Sequence, residues 1–378
     1  MTTRRIRLGI FGRDTAPADG GAHTLLQIIE EKIAATLGGG AIELVPIPWA
    51  AWSHRRHPFR FLWMRLVRKF GAEIPLVDLR PVCRRYRLDM AYFAAPAYAR
   101  IDIPFVFTLW DLGHLTIPAF PEVRCASDPW SQREALCRLM LPQASFVVTG
   151  NATGVAEACR LYNLDPKKVV ELPFPNPDFS GVTVMEPSWI PTRPFFFYPA
   201  QLWPHKNHFT LIKALAVLSA RGHPVPDLVF VGSDKGNAGY LKAVAAELGV
   251  GERVRFGGFV SRGELKALYQ RATGLVFPSL LGPNNLPPQE AAVLGCPAIL
   301  SDLAGHREQL GDGALFVSPL DAEGWATAMH RLASDAAFRG ELAGRARAAV
   351  AGCTLEAYAT GLNRLFTELA ATRMLWGG

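Results

Sequence analysis

Residues 276–308, VFPSLLGPNNLPPQEAAVLGCPAILSDLAGHRE, constrain the fold more than any other part of this chain. The apolar residues that end at Phe277 predict a buried strand, and residues 282–285 predict a loop. Residues 287–294 predict a helix, and residues 297–300 predict a second strand. Strand, helix and strand in this order form a βαβ unit, which is the building block of a parallel sheet.

Glu290 has two interpretations within this unit. A glycine-bearing turn before a helix presents unpaired N–H groups and the positive end of the helix dipole, which suit a diphosphate. Glu290, expected in the first helical turn, would then accept hydrogen bonds from a ribose diol. The alternative is that Pro287, Pro288 and Gln289 form a good helix start and that the dipole alone favours Glu290 there. This stretch by itself does not separate the two interpretations.

The length and composition indicate a globular protein of more than one domain. A chain of 378 residues is expected to form two or three domains. Its composition, 49% hydrophobic and 19% charged, is typical of a globular protein with buried parallel strands. The sequence contains no run of 18 apolar residues, so no transmembrane helix is predicted. The N-terminal apolar stretch is too short for a signal peptide and predicts a first strand.

The cysteines and the net charge restrict the compartment and the partners. The cysteines have no paired spacing, which argues against a zinc site and a disulfide framework and favours a reducing, cytoplasmic environment. They are Cys83, Cys125, Cys137, Cys159, Cys296 and Cys353. The formal net charge of +7 indicates nucleic acid, an anionic membrane or a phosphorylated substrate as a partner. Nucleic acid ranks last because no helix-turn-helix, zinc-finger or RNP pattern is present.

Apolar runs and helical patterns alternate through both halves of the chain. Strands are predicted at residues 6–11, 42–47, 89–93, 103–109, 146–149, 169–172, 195–199, 228–231, 254–256 and 297–300, besides the one ending at Phe277. The alternation predicts an α/β protein with two facing, doubly wound, Rossmann-like parallel-sheet domains. Prolines between residues 173 and 194 mark the boundary. We expect an N-terminal domain at 1–180, a second domain at 181–355, and a helix at 356–378 that packs back on the first domain.

Polar residues after predicted strands are candidates for a site. Gly20 and Gly21 lie between a predicted strand and a predicted helix, an arrangement that suits phosphate, but in isolation a simple turn explains them better. Asp111 and His114 follow the strand at 103–109, where open α/β sheets place their sites. The alternative for His114 is a purely structural role.

A basic and aromatic stretch at residues 49–70 has a membrane interpretation and a core interpretation. Its cations include no acid among them, which favours an amphipathic helix on anionic lipid. In the alternative, the aromatic residues face a core and the arginines are solvated. The stretch contains Trp49, Trp52, Phe59, Phe61, Trp63 and Phe70 with Arg55, Arg56, Arg60, Arg65, Arg68 and Lys69.

The ordered motifs resemble a known family. They are PAQLWPHKNHFTLIKAL, LVFVGS, VRFGGFVSRGELKALYQRATGLVFPS and PPQEAAVLGCPAILSDLAGHREQLGDGALFVSPLD, preceded by TLWDLGH in the first half. Together they resemble the retaining nucleotide-sugar glycosyltransferases of the GT-B fold, family four, over nearly the whole chain. Lys206 matches the lysine that holds the donor diphosphate, and Glu290 matches the glutamate that binds ribose. Gln201 stands where the family has an arginine, and Gly282 where it has a first glutamate.

The resemblance implies an activity, a site and a role for each domain: the domain at 1–180 is the acceptor side, and the domain at 181–355 binds the donor nucleotide sugar. The activity is sugar transfer from a nucleoside-diphosphate sugar to a glycan or lipid-linked hydroxyl, with retention, in surface polysaccharide or glycolipid assembly. No metal and no cofactor beyond the donor are expected. Trp110 replaces the family's histidine, and His114 is its expected substitute. Asn284 and Asn285 either contact sugar hydroxyls or favour turn geometry. The catalytic candidates are Lys206, His114 and Asp111, and the binding candidates are Gly20, Gly21, Gln201, Lys206, Phe259, Val260, Gly282, Asn284, Asn285, Leu286 and Glu290.

Two other functions are compatible with the sequence. Gly282 and Gln201 each remove a charge from the expected site, so the chain has a second interpretation as a weakened homologue that binds a nucleotide sugar or glycan as a scaffold. The third interpretation is a sugar-nucleotide epimerase on the same fold.

Overall fold

The structure, a computed structural model, describes residues 5–12, 42–47, 77–97, 99–120 and 130–375. The described residues fall into two units, one running to Pro175 and resuming at Thr354, the other spanning Asn176–Cys353. Gly20, Gly21, Cys125 and the basic aromatic stretch at 49–70 lie outside the described residues. None of the described helices is both long and apolar enough to cross a bilayer.

The first unit contains a six-stranded sheet in which every pair is parallel. Its strands are β1 (Ile6–Phe11), β2 (Ile42–Val45), β4 (Met90–Phe93), β6 (Phe105–Thr108), β7 (Phe146–Thr149) and β8 (Val169–Glu171), in the order β2-β1-β4-β6-β7-β8. A separate parallel pair joins β3 (Val77–Asp78) and β5 (Ala99–Arg100). The helices are α1 (Arg80–Arg85), α2 (Gly113–Thr116), α3 (Trp130–Gln143) and α4 (Ala152–Tyr162).

The second unit repeats this architecture. Its strands are β9 (Phe195–Pro199), β10 (Asp227–Val231), β11 (Val254–Phe256), β12 (Gly274–Phe277), β13 (Ala298–Ser301) and β14 (Ala314–Val317), in the parallel order β11-β10-β9-β12-β13-β14. Its helices are α5 (His208–Ala220), α6 (Ala238–Glu247), α7 (Arg262–Arg271), α8 (Leu286–Leu294), α9 (Ala304–Leu310), α10 (Ala322–Ser334) and α11 (Ala336–Val350).

The final helix, α12 (Leu355–Met374), belongs to the first unit. The hydroxyl of Tyr358 on α12 lies 3.0 Å from the hydroxyl of Tyr92 on β4, which also accepts a hydrogen bond from Thr108 at 3.0 Å. Phe366 packs edge-on against Tyr92 with ring centroids 5.6 Å apart. These buried contacts fix α12 to the first sheet.

The core explains why the strands are nearly uninterrupted apolar runs. In β9, Phe195, Phe196, Phe197 and Tyr198 are all at most 2% exposed. A parallel strand with helices on both faces has no polar side, so both sets of alternate residues are apolar. The prediction of two doubly wound parallel-sheet domains is confirmed, and the predicted strands lie within about two residues of the observed ones.

His208, at the start of α5, is a titratable group inside the core of the second unit. It is 1% exposed, and its ring lies 4.5 Å from the ring of Tyr198 and 4.8 Å from that of Phe230, centroid to centroid. Burial among these rings, with a smaller contribution from the charge of Lys206, lowers the pKa of His208 to about 3. The folded protein therefore holds a neutral imidazole that the unfolded chain protonates near pH 6.5.

We expect this histidine to make the protein acid-sensitive. Because the folded-state pKa lies below the unfolded value, the stabilisation is complete above pH 6.5 and is lost as the pH falls from there toward 3. At pH 5 the loss from His208 is about 2 kcal/mol relative to pH 7. Urea unfolding at pH 5 and 7 should show a smaller difference for His208→Phe than for the wild type. Equal differences for the two proteins would contradict this role.

Candidate functional site

The strand order of the second sheet has a topological switch point between β9 and β12. From β9 the chain adds β10 and β11 on one side and then crosses to add β12, β13 and β14 on the other. Ligands of open α/β sheets bind at this kind of switch point, beyond the carboxyl ends of the strands. The loops that leave β9 and β12 meet there, because the N–H of Leu280 donates to the carbonyl of His205 at 2.9 Å.

Lys206 lies at this switch point. It ends a 3₁₀ turn, Pro204–Lys206, and its carbonyl accepts a hydrogen bond from the Tyr198 hydroxyl at 2.7 Å. Its ammonium lies 5.4 Å from the ring centroid of Phe277, the last residue of β12. The turn fixes the backbone of Lys206, and the side chain carries its charge to the gap between the two strands. A cation in this position suits a diphosphate.

Gln201, which stands where the resembling family has an arginine, contacts the nearby Trp203 through its side chain. Its side-chain oxygen accepts a hydrogen bond from the indole N–H of Trp203 at 2.8 Å, so this oxygen orients the ring. The ammonium of Lys235 lies 5.4 Å from the centroid of the same ring. Lys235 was not predicted as a candidate from the sequence. Its position four residues after the end of β10, in GSDK, could have indicated a residue near the carboxyl ends of the strands.

Glu290 lies in the interior of α8 rather than at its start. It is 7% exposed, and its Oε2 accepts a hydrogen bond from the hydroxyl of Tyr269 on α7 at 2.7 Å. Burial raises the pKa of Glu290 above its usual range, while the Tyr269 hydrogen bond opposes that shift. Among the described residues, Tyr269 engages one carboxylate oxygen and no hydrogen bond reaches the other.

The expectation that Glu290 occupies the first helical turn is wrong. Helix α8 begins at Leu286 with Asn285 as its N-cap, because both prolines fit inside the first turn, and Glu290 is the fifth helical residue. The effect of the helix dipole fades beyond the first turn. The dipole alone therefore does not account for this acid, which weakens the interpretation of Glu290 as a helix-start residue.

The loop after β12 leaves no room for a side chain at position 282. Gly282 has φ +146°, and a Cβ built there would lie 1.8 Å from Nδ2 of Asn285. The neighbouring Asn284 keeps its Nδ2 buried without a hydrogen-bond partner among the described residues. The carboxamide of Asn285 thus fills the space into which a side chain at 282 would project.

We expect substitutions at Gly282 to destabilise the protein in two separable ways. Gly282→Ala forces an L residue into the left-handed region and should cost about 1–3 kcal/mol. The Cβ of this alanine also displaces the Asn285 amide, as does that of the larger Gly282→Glu, which should be at least as destabilised. Adding Asn285→Ala to Gly282→Ala should recover the cost of the displacement and leave the cost of the backbone strain. Thermal unfolding measures all three. A melting temperature of Gly282→Ala equal to that of the wild type would contradict the backbone strain.

The remaining candidates of the second unit lie at the same edge of the sheet. Phe259, with 63% of its surface exposed, and Val260 follow β11. Their loop is tied to the end of β10 by the N–H of Gly232, which donates to the carbonyl of Gly258 at 2.7 Å. The structure therefore brings one group to the ends of β9 and β12 and leaves Phe259 and Val260 two strands from β9. We call this set the site group, and its members are Gln201, Lys206, Gly282, Asn284, Asn285, Leu286 and Glu290.

Asp111 and His114 of the first unit follow β6, but they are held in internal contacts. Asp111 accepts hydrogen bonds from Arg133 at 2.6 Å and from the N–H of Gly113 at 2.8 Å. Burial raises the pKa of Asp111, but Arg133 and the Gly113 amide outweigh it, so the net pKa lies below its usual range. This carboxylate is ionised and paired with Arg133.

His114 exposes no surface to a substrate in this structure. It is 0% exposed, and its Nε2 lies 3.1 Å from a carboxylate oxygen of Glu134 and 3.0 Å from the hydroxyl of Tyr162. Burial, followed by the charge of Arg133, lowers its pKa. The geometry favours the structural alternative for His114, and its substitution for the family's histidine stays a prediction.

No three His, Cys, Asp or Glu side chains in the described parts of the chain are grouped as ligands for a metal ion. Among the candidate residues at the ends of β9 and β12, Lys206 supplies the positive charge. The described cysteines Cys83, Cys137, Cys159, Cys296 and Cys353 are free thiols.

Comparisons with known proteins give the fold and a family match. Residues 185–349 match the family model for glycosyl transferases group 1, which covers most of the second unit. The O-antigen chain mannosyltransferase RfbU of Salmonella typhimurium is 30% identical over 199 residues, 52% of this chain and 53% of that protein. The chain thus spans about half the length of this curated relative and less of the next two.

Two solved structures resemble the chain over almost its whole length. Anabaena HepE, solved with UDP and glucose, has a TM-score of 0.67 and 16% identity, covering 98% of this chain and 100% of its own. WaaG, a glycosyltransferase involved in lipopolysaccharide biosynthesis, has a TM-score of 0.62 and 17% identity, covering 95% of this chain and 99% of its own. Identities this low show the fold alone, and that fold is GT-B.

Proposed function

We propose that this protein is a glycosyltransferase that moves a sugar from a nucleoside-diphosphate sugar to an acceptor hydroxyl. The observation that carries the proposal is the position of Lys206, whose ammonium lies beside Phe277 at the switch point of a sheet that matches the group 1 family. RfbU and WaaG are named for O-antigen and lipopolysaccharide synthesis, which supports an acceptor in surface polysaccharide or glycolipid assembly.

In this proposal, Lys206 stabilises the charge that develops on the departing diphosphate. The start of α8 contributes less to stabilising this charge than an ordinary helix start does. Pro287 and Pro288 lack an N–H, so Leu286 supplies the one amide among the first three helical residues. The side-chain cation consequently carries a larger share of the charge than it would beside a helix without prolines.

Glu290 binds the ribose in this scheme. Tyr269 anchors Oε2, and the second carboxylate oxygen accepts a ribose hydroxyl. Retention of anomeric configuration and independence from metal ions are further parts of the proposal and rest on the family resemblance. We assign no covalent nucleophile, because the site group contains a single carboxylate, Glu290.

A donor panel tests the proposed function. The protein is incubated with UDP-glucose, UDP-N-acetylglucosamine and GDP-mannose, with and without a bacterial glycolipid extract, and the release of nucleoside diphosphate is measured. We expect release from one donor to rise with the extract. Saturable binding without release would instead favour the scaffold function, which Gly282 and Gln201 support by lacking the family's charges. Epimerisation without any acceptor would favour the third function.

We also propose peripheral contact with an anionic membrane on the cytoplasmic side. The support is the basic aromatic stretch at 49–70, and the free thiols of the described residues suit a reducing compartment. Each cation would gain about 1 kcal/mol at an anionic leaflet, and the attraction would fall with salt.

We expect the wild-type protein to sediment with phosphatidylserine vesicles at low salt and to be released at high salt. Replacement of Arg55, Arg56, Arg60, Arg65 and Arg68 by Gln should abolish this binding and leave the melting temperature and donor binding unchanged. A wild-type protein that stays in the supernatant even at low salt would make a soluble acceptor the better proposal.

A further inference from the structure

The side chain of Asn285 is held in one orientation. Its Nδ2 lies 2.9 Å from Nε2 of His306 and donates to the carbonyl of Leu281 at 3.4 Å. The backbone of Asn285 is fixed as well, because its N–H donates to Gln309 at 3.2 Å and its carbonyl accepts from the Gln309 amide at 3.0 Å. Both the main chain and the carboxamide of this loop residue are therefore positioned by α9.

The protonation of His306 determines which way the carboxamide points. His306 is 0% exposed, and its Nδ1 lies 2.9 Å from the carbonyl oxygen of Ser301, which can only accept. Nδ1 must then carry the hydrogen. Burial, opposed by the Ser301 contact and assisted by the charge of Lys206, lowers the pKa of His306 to about 4, so the ring is neutral near pH 7. In a neutral ring Nε2 is an acceptor, and the group facing it must be a donor.

Both hydrogens of the Asn285 amide are thus committed to His306 and Leu281. The carbonyl oxygen, Oδ1, must take the opposite position. Among the described residues it receives no hydrogen bond, and it is absent from the buried atoms that lack a partner, so it reaches solvent. Gly282 has no side chain to cover it, and a Cβ there would lie 3.0 Å from Oδ1.

The open oxygen lies in the loop between two groups of the proposed donor site. The loop is joined to the turn that contains Lys206 by the Leu280–His205 hydrogen bond, and it runs directly into α8, which contains Glu290. A donor whose diphosphate meets Lys206 has its sugar attached at that diphosphate, within reach of this loop. An amide oxygen is a neutral acceptor and suits a sugar hydroxyl.

We propose that Asn285 accepts a hydrogen bond from a hydroxyl of the donor sugar, and that His306 is the positioning residue that keeps its oxygen turned outward. This inference rests on the proposed function, since it requires a nucleoside-diphosphate sugar at Lys206. It assigns the recognition of the sugar to a neutral amide at the place where Gly282 provides no side chain.

The test compares two ligands by isothermal titration: the preferred nucleotide sugar from the donor panel, and the nucleoside diphosphate without the sugar. Asn285→Ala should weaken binding of the nucleotide sugar about 3- to 10-fold, the size expected for one neutral hydrogen bond, and leave the nucleoside diphosphate unchanged. Asn363→Ala, an exposed asparagine on α12, is the matched control and should change neither affinity. Equal losses for both ligands, or no loss for either, would overturn the role of Asn285.

Variants of His306 test the positioning. His306→Leu retains packing against Phe277 but removes the acceptor, so it should reproduce the selective loss of Asn285→Ala, and the double variant should lose no more than either single variant. His306→Gln, whose Oε1 reaches about as far, should restore most of the affinity. Additive losses in the double variant, or a loss of both ligands in His306→Leu, would overturn the positioning role. A wild-type protein that binds neither UDP nor GDP would instead refute the proposed function itself.

Discussion

Replacing Lys206 by alanine is expected to lower kcat/KM about 100- to 1,000-fold, the loss typical when one group that stabilises developing negative charge is removed. The effect should appear mainly in kcat, because the ammonium interacts most strongly with the diphosphate as it departs. The fold should survive, since the Tyr198 hydroxyl holds the carbonyl of residue 206 and not its side chain.

Steady-state kinetics with the preferred donor measures this effect. Lys213→Ala is the matched control, because Lys213 is an exposed lysine on α5 whose ammonium lies 5.6 Å from the ring centroid of Phe209, outside the site group. It should leave kcat/KM unchanged. If Lys206→Ala retains the wild-type kcat/KM while its circular dichroism and melting temperature are normal, Lys206 has no part in the chemistry.

Replacing Glu290 by alanine is expected to weaken donor binding about 10- to 100-fold, which corresponds to the loss of a hydrogen bond to a charged acceptor. The loss should be the same for the nucleotide sugar and for the nucleoside diphosphate, because both contain the ribose. This pattern differs from that of Asn285→Ala, which affects the sugar-bearing ligand alone.

Two further variants separate the ribose contact from the structural contact with Tyr269. Tyr269→Phe removes the hydroxyl that donates to Glu290 but keeps the carboxylate, so donor affinity should fall less than in Glu290→Ala. Glu247→Ala, at the exposed end of α6, serves as the control for a lost charge. If Glu290→Ala binds the donor with an unaltered dissociation constant, Glu290 does not contact the ribose and has only the structural contact with Tyr269.

Much of the second unit could be predicted from the sequence because its physical signals are local. The apolar runs that became β9 and β12 read as strands on hydrophobicity alone, and Gly295, which ends α8 with φ +74°, was visible as a helix terminator. Parallel strands and their connections then placed Lys206 and the loop at 282–285 at one edge of the sheet.

The contacts that set the chemistry were not predictable, because their partners are distant in the chain. Nothing in the residues around Glu290 indicated Tyr269, which lies 21 positions away, and nothing near Asn285 indicated His306. Likewise, His114 is buried in contact with Glu134 and Tyr162, and nothing in the residues around it indicated these two partners. The start of α8 was missed by one residue, and this shifted Glu290 out of the first turn because two prolines follow Leu286. The roles of Gly20 and Gly21 stay predictions.

Sugar transfer from a nucleoside-diphosphate donor can be measured as the stoichiometry of one reaction. The preferred donor, labelled with ¹⁴C in its sugar, is incubated with the protein and the glycolipid extract, and label in the extract is compared with nucleoside diphosphate released. We expect one labelled sugar to be transferred for each nucleoside diphosphate, with both products lost in Lys206→Ala and retained in Lys213→Ala. Tight binding of the donor with neither release nor transfer, in the presence of the extract, would contradict it.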